Sequence, residues 1–225
     1  MTSSAPPPEV AEGERGARVA IAVFARAPVA GAVKTRLIAM LGAEGAARLH
    51  ERLVERTLAT AVEARLGPVE LWCSPDTSHP FFTQCAARFG VELHRQDGAD
   101  LGDRMHRAFE SALDRHRALL LVGSDCPALE PRDLAAATRA LDTHDAVLIP
   151  AEDGGYVLVG LTRPHATLFE GVAWGTPAVM EATRARLVAS GLRWAALPAL
   201  WDVDRAEDYA RLQSTLPDLT LEPAR

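Results

Sequence analysis

Four consecutive aliphatic residues, Leu119 to Val122, end at a glycine, and behind it stand Ser124, Asp125, Cys126 and Pro127. The run is long enough for a strand buried on both faces and too short for a helix of its own. Pro127 cannot continue a ladder. Strands buried on both faces belong to parallel sheets covered by helices, and such sheets bind ligands outside the carboxyl ends of their strands. Asp125 falls at that position. Asp is also ordinary turn chemistry before a proline, so Asp125 gains weight only because polar clusters elsewhere occupy similar places.

The rest of the chain alternates in the same way. A buried-strand pattern, VAIAVFA, starts near Arg18, and a helical pattern runs from Ala43 to Leu66 until Gly67-Pro68 stops it. Val69–Ser74 and Val91–Arg95 read as strands around a short helix at Pro80–Phe89, and a helix with Leu101, Met105, Phe109 and Leu113 on one face precedes the central strand. Helices are expected over Pro131–Leu141 and Pro177–Ser190, with a closing helix after WDVD, and strands over Ala146–Pro150, Tyr156–Leu161 and Leu192–Leu197. The pattern predicts one α/β domain, a mostly parallel, Rossmann-like sheet with helices on both faces. At Ala146–Leu161 a short glycine-containing loop separates two strands, which predicts a local antiparallel excursion. The domain is expected over 18–215. Residues 1–17, rich in Ser, Pro and charge, read as a disordered tail, and 216–225 as a C-terminal tail.

Composition excludes several classes. With 24 Lys plus Arg against 30 Asp plus Glu, the net charge of −6 argues against nucleic acid or an anionic membrane as partner. No apolar stretch approaches a membrane span, and the amino terminus has no apolar signal core, so a cytoplasmic location is expected. Cys73, Cys85 and Cys126 are odd in number and lack metal-ligand spacing, so they read as reduced core filler. The seven histidines form no ligand pattern, and nothing marks a nucleophilic serine or cysteine.

Four polar clusters carry the candidate chemistry. In RAPVAGAVKTRL, Gly31 permits close backbone approach, and Lys34 and Arg36 put two cations before a helix, where the dipole opposes them unless an anion compensates. The loop is neither a Walker A nor a dinucleotide fingerprint. Asp153-Gly154-Gly155-Tyr156 is either a simple turn or a place where a ligand meets the main chain. In Trp201-Asp202-Val203-Asp204 the two carboxylates share a side if the segment is extended, which a Mg²⁺ would relieve; alternatively Asp204 caps the following helix. Asp103 stands at a helix start. Thr176 is an N-cap candidate, and Trp174 either packs or stacks on a sugar or base.

Taken together, FARAPVAGAVKTRL, DLGDRM, VGSDCPAL, EDGGYVLVGL, Trp174-Gly175-Thr176 and DVDRAEDY resemble, in order and spacing, the bacterial transferase family first noted beside radical-SAM and selenium-related genes. Some of its relatives carry an arsenosugar-biosynthesis glycosyltransferase label. The resemblance covers about Arg18 to Leu212. It implies the GT-A fold of the nucleotide-diphospho-sugar transferase superfamily. By that resemblance, Arg26, Gly31, Lys34, Arg36, Asp103 and Ser124 would contact the nucleotide, and Asp125 and Asp204 would hold a divalent cation, Mg²⁺ or Mn²⁺. Gly154, Gly155, Tyr156, Trp174 and Thr176 would face the sugar or acceptor, with Asp125, Asp153 and Lys34 carrying the chemistry. Arg26 stands where the family usually has lysine and Ala30 where it usually has proline, which alters donor geometry and loop stiffness.

The activity implied is transfer of a sugar from a nucleoside diphosphate to a small-molecule acceptor. The alternative is nucleotidyl transfer from an NTP to a phosphorylated acceptor with release of pyrophosphate, since the superfamily fold serves both. A nucleotide-binding module without catalysis is the third reading.

Overall fold

The computed structural model describes residues 16–221, so the tail expected over 1–17 lies almost wholly outside the described residues. Within those residues seven strands form one sheet: β1 (Gly16–Arg26), β2 (Val69–Ser74), β3 (Glu92–Arg95), β4 (His116–Gly123), β5 (Ala146–Pro150), β6 (Tyr156–Leu161) and β7 (Trp194–Ala196). Among the described residues six α-helices flank it: α1 (Ile38–Glu63), α2 (Pro80–Phe89), α3 (Leu101–Leu113), α4 (Pro131–Ala140), α5 (Val179–Ala189) and α6 (Ala206–Thr215). The strand order is β3-β2-β1-β4-β6-β5-β7. β6 alone runs against its neighbours, pairing antiparallel with both β4 and β5. This is the excursion expected between Ala146 and Leu161: a short loop can only join neighbouring strands that run in opposite directions.

Alternation along the strands builds two cores. Val19, Ile21, Val23, Leu120, Val122, Val147 and Ile149 face α1, α2 and α4. Ala20, Ala22, Phe24, Leu119, Leu121, Leu148 and Val159 face α3 and α5. β4 is therefore buried on both sides at the middle of the sheet. All three cysteines are buried and reduced, and burial pushes each thiol up to about 12, which makes them inert filler. Among the described residues no helix is long and apolar enough to cross a membrane.

Where the structure departs from the sequence pattern, tertiary contacts supply the cause. α1 starts at Ile38 instead of Ala43 and is interrupted at Gly42, whose φ is 71°. Leu37 and Leu41 belong to a third apolar cluster with Trp201, Val203, Tyr209 and Leu212, which holds the first turn in place. Residues 216–221, expected as tail, continue the packed chain. Leu216, Leu219 and Leu221 cover that same cluster, and the Leu221 amide donates to the Tyr209 hydroxyl at 2.9 Å.

Candidate active site

The chain leaves β1 toward β2 and β3 and then returns to the other side of β1 at β4. The order reverses between β1 and β4, and at such a switch point the carboxyl ends of adjacent parallel strands open a crevice. The loop after β1 brings Lys34 into it, and the loop after β4 brings Asp125. Lys34 is 9% exposed and sits in the left-handed region (φ 47°, ψ 40°). Its Nζ lies 2.7 Å from Asp125 Oδ1 and donates to the Val203 carbonyl at 2.6 Å. A third segment, the stretch before α6, is thereby tied to the first two, and the Val203 amide donates to the Asp125 carbonyl at 2.9 Å. Two bonds on one ammonium explain how a non-glycine residue is held in a conformation that costs about 1 kcal/mol.

Asp125 Oδ1 is buried while the side chain as a whole is 47% exposed, so the solvent-facing part of the carboxylate is its other oxygen. Desolvation acts to raise its pKa, but Lys34, with His50 and Arg26, outweighs it and holds the carboxyl below the usual range. His50, on α1, is the residue that the sequence pattern missed. Its Nε2 is 3.0 Å from the Arg26 carbonyl and must donate there, because a carbonyl only accepts. Its Nδ1, buried and without a hydrogen-bond partner, lies 3.9 Å from Asp125 Oδ1. Burial pulls the His50 pKa down, against the raising influence of Asp125. The signal was present as a lone histidine on the otherwise apolar stripe of Leu49, Leu53 and Val54.

Arg26, Lys34, Arg36, His50, Asp125 and Asp204 line one cavity of about 250 Å³. Arg36 and Asp204 form an ion pair across it. Asp204 does not cap α6; that helix starts one residue later than expected, and Asp208 accepts the backbone amides of Asp204 and Arg205. Asp204 is thus left for Arg36. Asp202 belongs to a neighbouring cavity of about 230 Å³, where Arg36, Asp153, Thr176 and Asp204 are also found. Burial, then the charges of Asp153 and Asp125, push the Asp202 carboxyl up to about 6.

The remaining expected residues divide. Gly31 gives the β1 loop its positive φ of 83°. Ser124 is buried beside Asp125. Asp153, Gly155, Tyr156, Trp174 and Thr176 line a third cavity that adjoins the second. Gly154 fixes this loop from behind: a Cβ there would lie 2.3 Å from the Pro177 carbonyl oxygen, and the Gly154 carbonyl accepts the Met180 amide. Thr176 does not cap α5, which starts at Val179; its hydroxyl turns back to the Ala173 carbonyl at 2.7 Å. Asp103 lies apart from all three cavities. It accepts the Ala99 amide and pairs with Arg107, and it borders a separate hollow with Asp100, His106 and Glu170.

A family model described as uncharacterized protein conserved in bacteria (DUF2064) matches residues 57–176, more than half of the chain. The chain belongs to that family. The matched span of this DUF2064 member contains Asp125, the 153–156 loop, Trp174 and Thr176; Lys34, Arg36, Asp202 and Asp204 flank it. No curated protein matches the sequence. Among solved structures, a protein assigned by name to the nucleotide-diphospho-sugar transferases, from Desulfovibrio desulfuricans G20, is similar at 28% identity and TM-score 0.79, over 89% of this chain and 90% of that one. The 4-diphosphocytidyl-2C-methyl-D-erythritol synthase of Anaerococcus prevotii has a similar fold at 10% identity (TM-score 0.63, 91% and 98% covered). So does Rv0371c of Mycobacterium tuberculosis H37Rv in complex with manganese, at 17% identity (TM-score 0.53, 88% and 100% covered). This DUF2064 chain therefore has the GT-A-like fold of the nucleotide-diphospho-sugar transferase superfamily.

The raised pKa of Asp202 gives a test of the carboxylate grouping. A carboxyl whose folded pKa is about 6, against 3.8 for the unfolded chain, binds a proton more tightly when folded. Above pH 6 its charge therefore opposes folding, and that opposition fades as pH falls through 6 toward 4. In metal-free buffer Asp202→Asn is expected to raise Tm at pH 8 by about 2–6 °C, after discounting the shift for solvent contact. The gain should shrink to near zero at pH 4. A gain independent of pH, read by thermal denaturation at both values, would refute the grouping.

Proposed function

We propose that this protein is a metal-dependent glycosyltransferase moving a sugar from a nucleoside diphosphate to a small-molecule acceptor. The observation that carries the reading is the convergence, at the β1–β4 switch point, of three cations (Arg26, Lys34, Arg36) with Asp125 and Asp204 on one cavity. A diphosphate needs cationic partners, and a cation–diphosphate pair needs carboxylates; the crevice offers both. The likeness to the Desulfovibrio protein, assigned by name to the nucleotide-diphospho-sugar transferases, supports a diphosphate-sugar donor.

Among the described residues no three His, Cys, Asp or Glu side chains stand ready to hold a metal by themselves. The all-oxygen set still fits Mg²⁺ or Mn²⁺, because such ions bind through one or two carboxylates and take their remaining ligands from water and substrate phosphates. Asp125, through its solvent-facing oxygen, and Asp204 would hold the ion, with Asp202 adjoining. When bound, the ion would neutralise charge developing on the leaving diphosphate. Arg26 and Arg36 would orient the phosphates, and Lys34 would hold Asp125 in register. As the bond from the sugar to the diphosphate breaks, the acceptor oxygen bonds to the sugar carbon, and Asp153 takes the acceptor's hydroxyl proton.

Thermal denaturation with nucleoside diphosphates and diphosphate sugars, with and without Mg²⁺ or Mn²⁺, tests this. A ligand at 100 times its Kd stabilises by about 2.7 kcal/mol, so a metal-dependent rise of about 5–10 °C is expected with one diphosphate sugar. If no nucleotide shifts the transition, the reading falls. The fold shared with a diphosphocytidyl synthase keeps nucleotidyl transfer as the second reading. Release of pyrophosphate from an NTP supports that one, and release of a nucleoside diphosphate from a diphosphate sugar supports the first.

A further inference from the structure

The groove that starts at Lys34 does not end at Asp153. Asp153, Gly175 and Thr176 line both the acidic cavity and a slot of about 210 Å³ beyond it, so the two are halves of one groove. Their chemistry differs sharply. Arg36, Asp202, Asp204 and Arg205 surround the first half. Phe24, Leu101, Met105, Leu121, Tyr156 and Trp174 wall the second. The Tyr156 and Trp174 rings meet edge to face at 6.3 Å. Leu101, in the first turn of α3, leaves 42% of its surface in water. Among the described residues the Tyr156 hydroxyl has only the Met105 sulfur, 3.8 Å away, as acceptor, and a thioether accepts weakly.

We infer that this slot holds the acceptor, and that the acceptor is an alcohol with an apolar or aromatic body, its hydroxyl turned to Asp153. The inference rests on the transferase reading. A hydroxyl-rich sugar in the slot would leave its polar groups without partners against Phe24, Leu121 and Met105, while an apolar ring gains by burial there. The donor's nucleobase is the other flat group to consider. Its diphosphate belongs with Arg26 and Arg36 at the far end, and a base in the slot would stretch the donor past Asp153 and Asp202, carboxylates that repel its phosphates. The acceptor hydroxyl, by contrast, meets Asp153 directly, because that residue lines the slot as well as the acidic cavity.

Ligand-observed NMR titration with 2-phenylethanol, against glucose as the hydroxyl-rich control, tests the slot. It is run on the parent and on Leu101→Asp, alone and with saturating UDP, CDP, GDP or ADP and Mg²⁺. Asp at the first helical position favours the helix dipole, so this variant keeps the fold, which its Tm verifies. The expected result is that 2-phenylethanol binds, glucose does not, and Leu101→Asp weakens 2-phenylethanol at least tenfold with nucleoside diphosphate affinity unchanged. If a nucleoside diphosphate binds while 2-phenylethanol does not, or glucose binds equally well, the acceptor class is wrong and the transferase reading stands. Displacement of 2-phenylethanol by a nucleoside diphosphate would assign the slot to the base and overturn the inference. Binding of 2-phenylethanol with no nucleotide bound by any arm removes the transferase reading and the acceptor role together.

Discussion

Asp125→Asn is expected to abolish Mg²⁺-dependent nucleotide binding and to lower turnover by about 10²–10³-fold, the loss typical of removing one electrostatic partner of the reacting charge. The carboxylate stands at the end of the central strand, with one oxygen against Lys34 and the other open to the cavity. An amide has the same shape and can still accept from Lys34, so the three segments that meet there stay joined. It has no charge to offer a cation. The variant should therefore remain folded, with Tm within several degrees of the parent, while the metal-dependent part of nucleotide affinity disappears in calorimetric titration. Equal nucleotide affinity with and without Mg²⁺ in the parent, or unchanged turnover in the variant, would sink the assignment.

Lys34→Met is expected to act first on stability. Removing the ammonium leaves the Val203 carbonyl and Asp125 Oδ1 without their partner. Breaking a fully buried pair costs about 3–5 kcal/mol; Asp125 is half exposed, so about 2–3 kcal/mol is expected here, or a Tm lower by about 4–10 °C. The pH dependence identifies the cause. Asp125 has its folded pKa depressed, mainly by Lys34 against desolvation, so its contribution is present above the unfolded value of 3.8 and is lost as pH falls through the folded value. The gap in stability between parent and variant should be full at pH 7 and narrow only below about pH 4. Chemical denaturation at both pH values measures it. A gap that does not change with pH would mean that Lys34 contributes only packing. Nucleotide binding should weaken as well, since the clip that aligns Asp125 with the segment carrying Asp202 and Asp204 is gone.

Both predictions draw on residues that the sequence points to, though not on the contacts that make them matter. Lys34 and Arg36 are legible as cations placed where a helix dipole opposes them. Their fates differ: Lys34 is buried on Asp125 and Val203, and Arg36 pairs with Asp204 on the surface of the cavity. Asp204 reads locally as a helix cap, but Arg205 holds the N-cap position and Asp208, in the first turn, accepts its amide. Thr176 reads as another cap, yet its hydroxyl turns back to Ala173. Asp103, expected in the cleft, accepts the Ala99 amide just before its helix and pairs with Arg107 one turn on. Capping competes among several acceptors within one turn, and small differences in backbone angle decide which one wins. His50 escaped because one polar residue on an apolar stripe ordinarily marks nothing.

The order and type of the strands and helices, the two-faced burial of β4 and the carboxylate at its end were determined by the sequence itself. Side chains alternate at fixed periods along strands and helices, and those periods are local. Which carboxylate meets which cation was decided only by the tertiary structure. Lys34 and Val203 are 169 residues apart along the chain and 2.6 Å apart in the fold. Such a distance is set by strand order and loop path, and electrostatic interaction depends on that distance, with no memory of the separation along the chain.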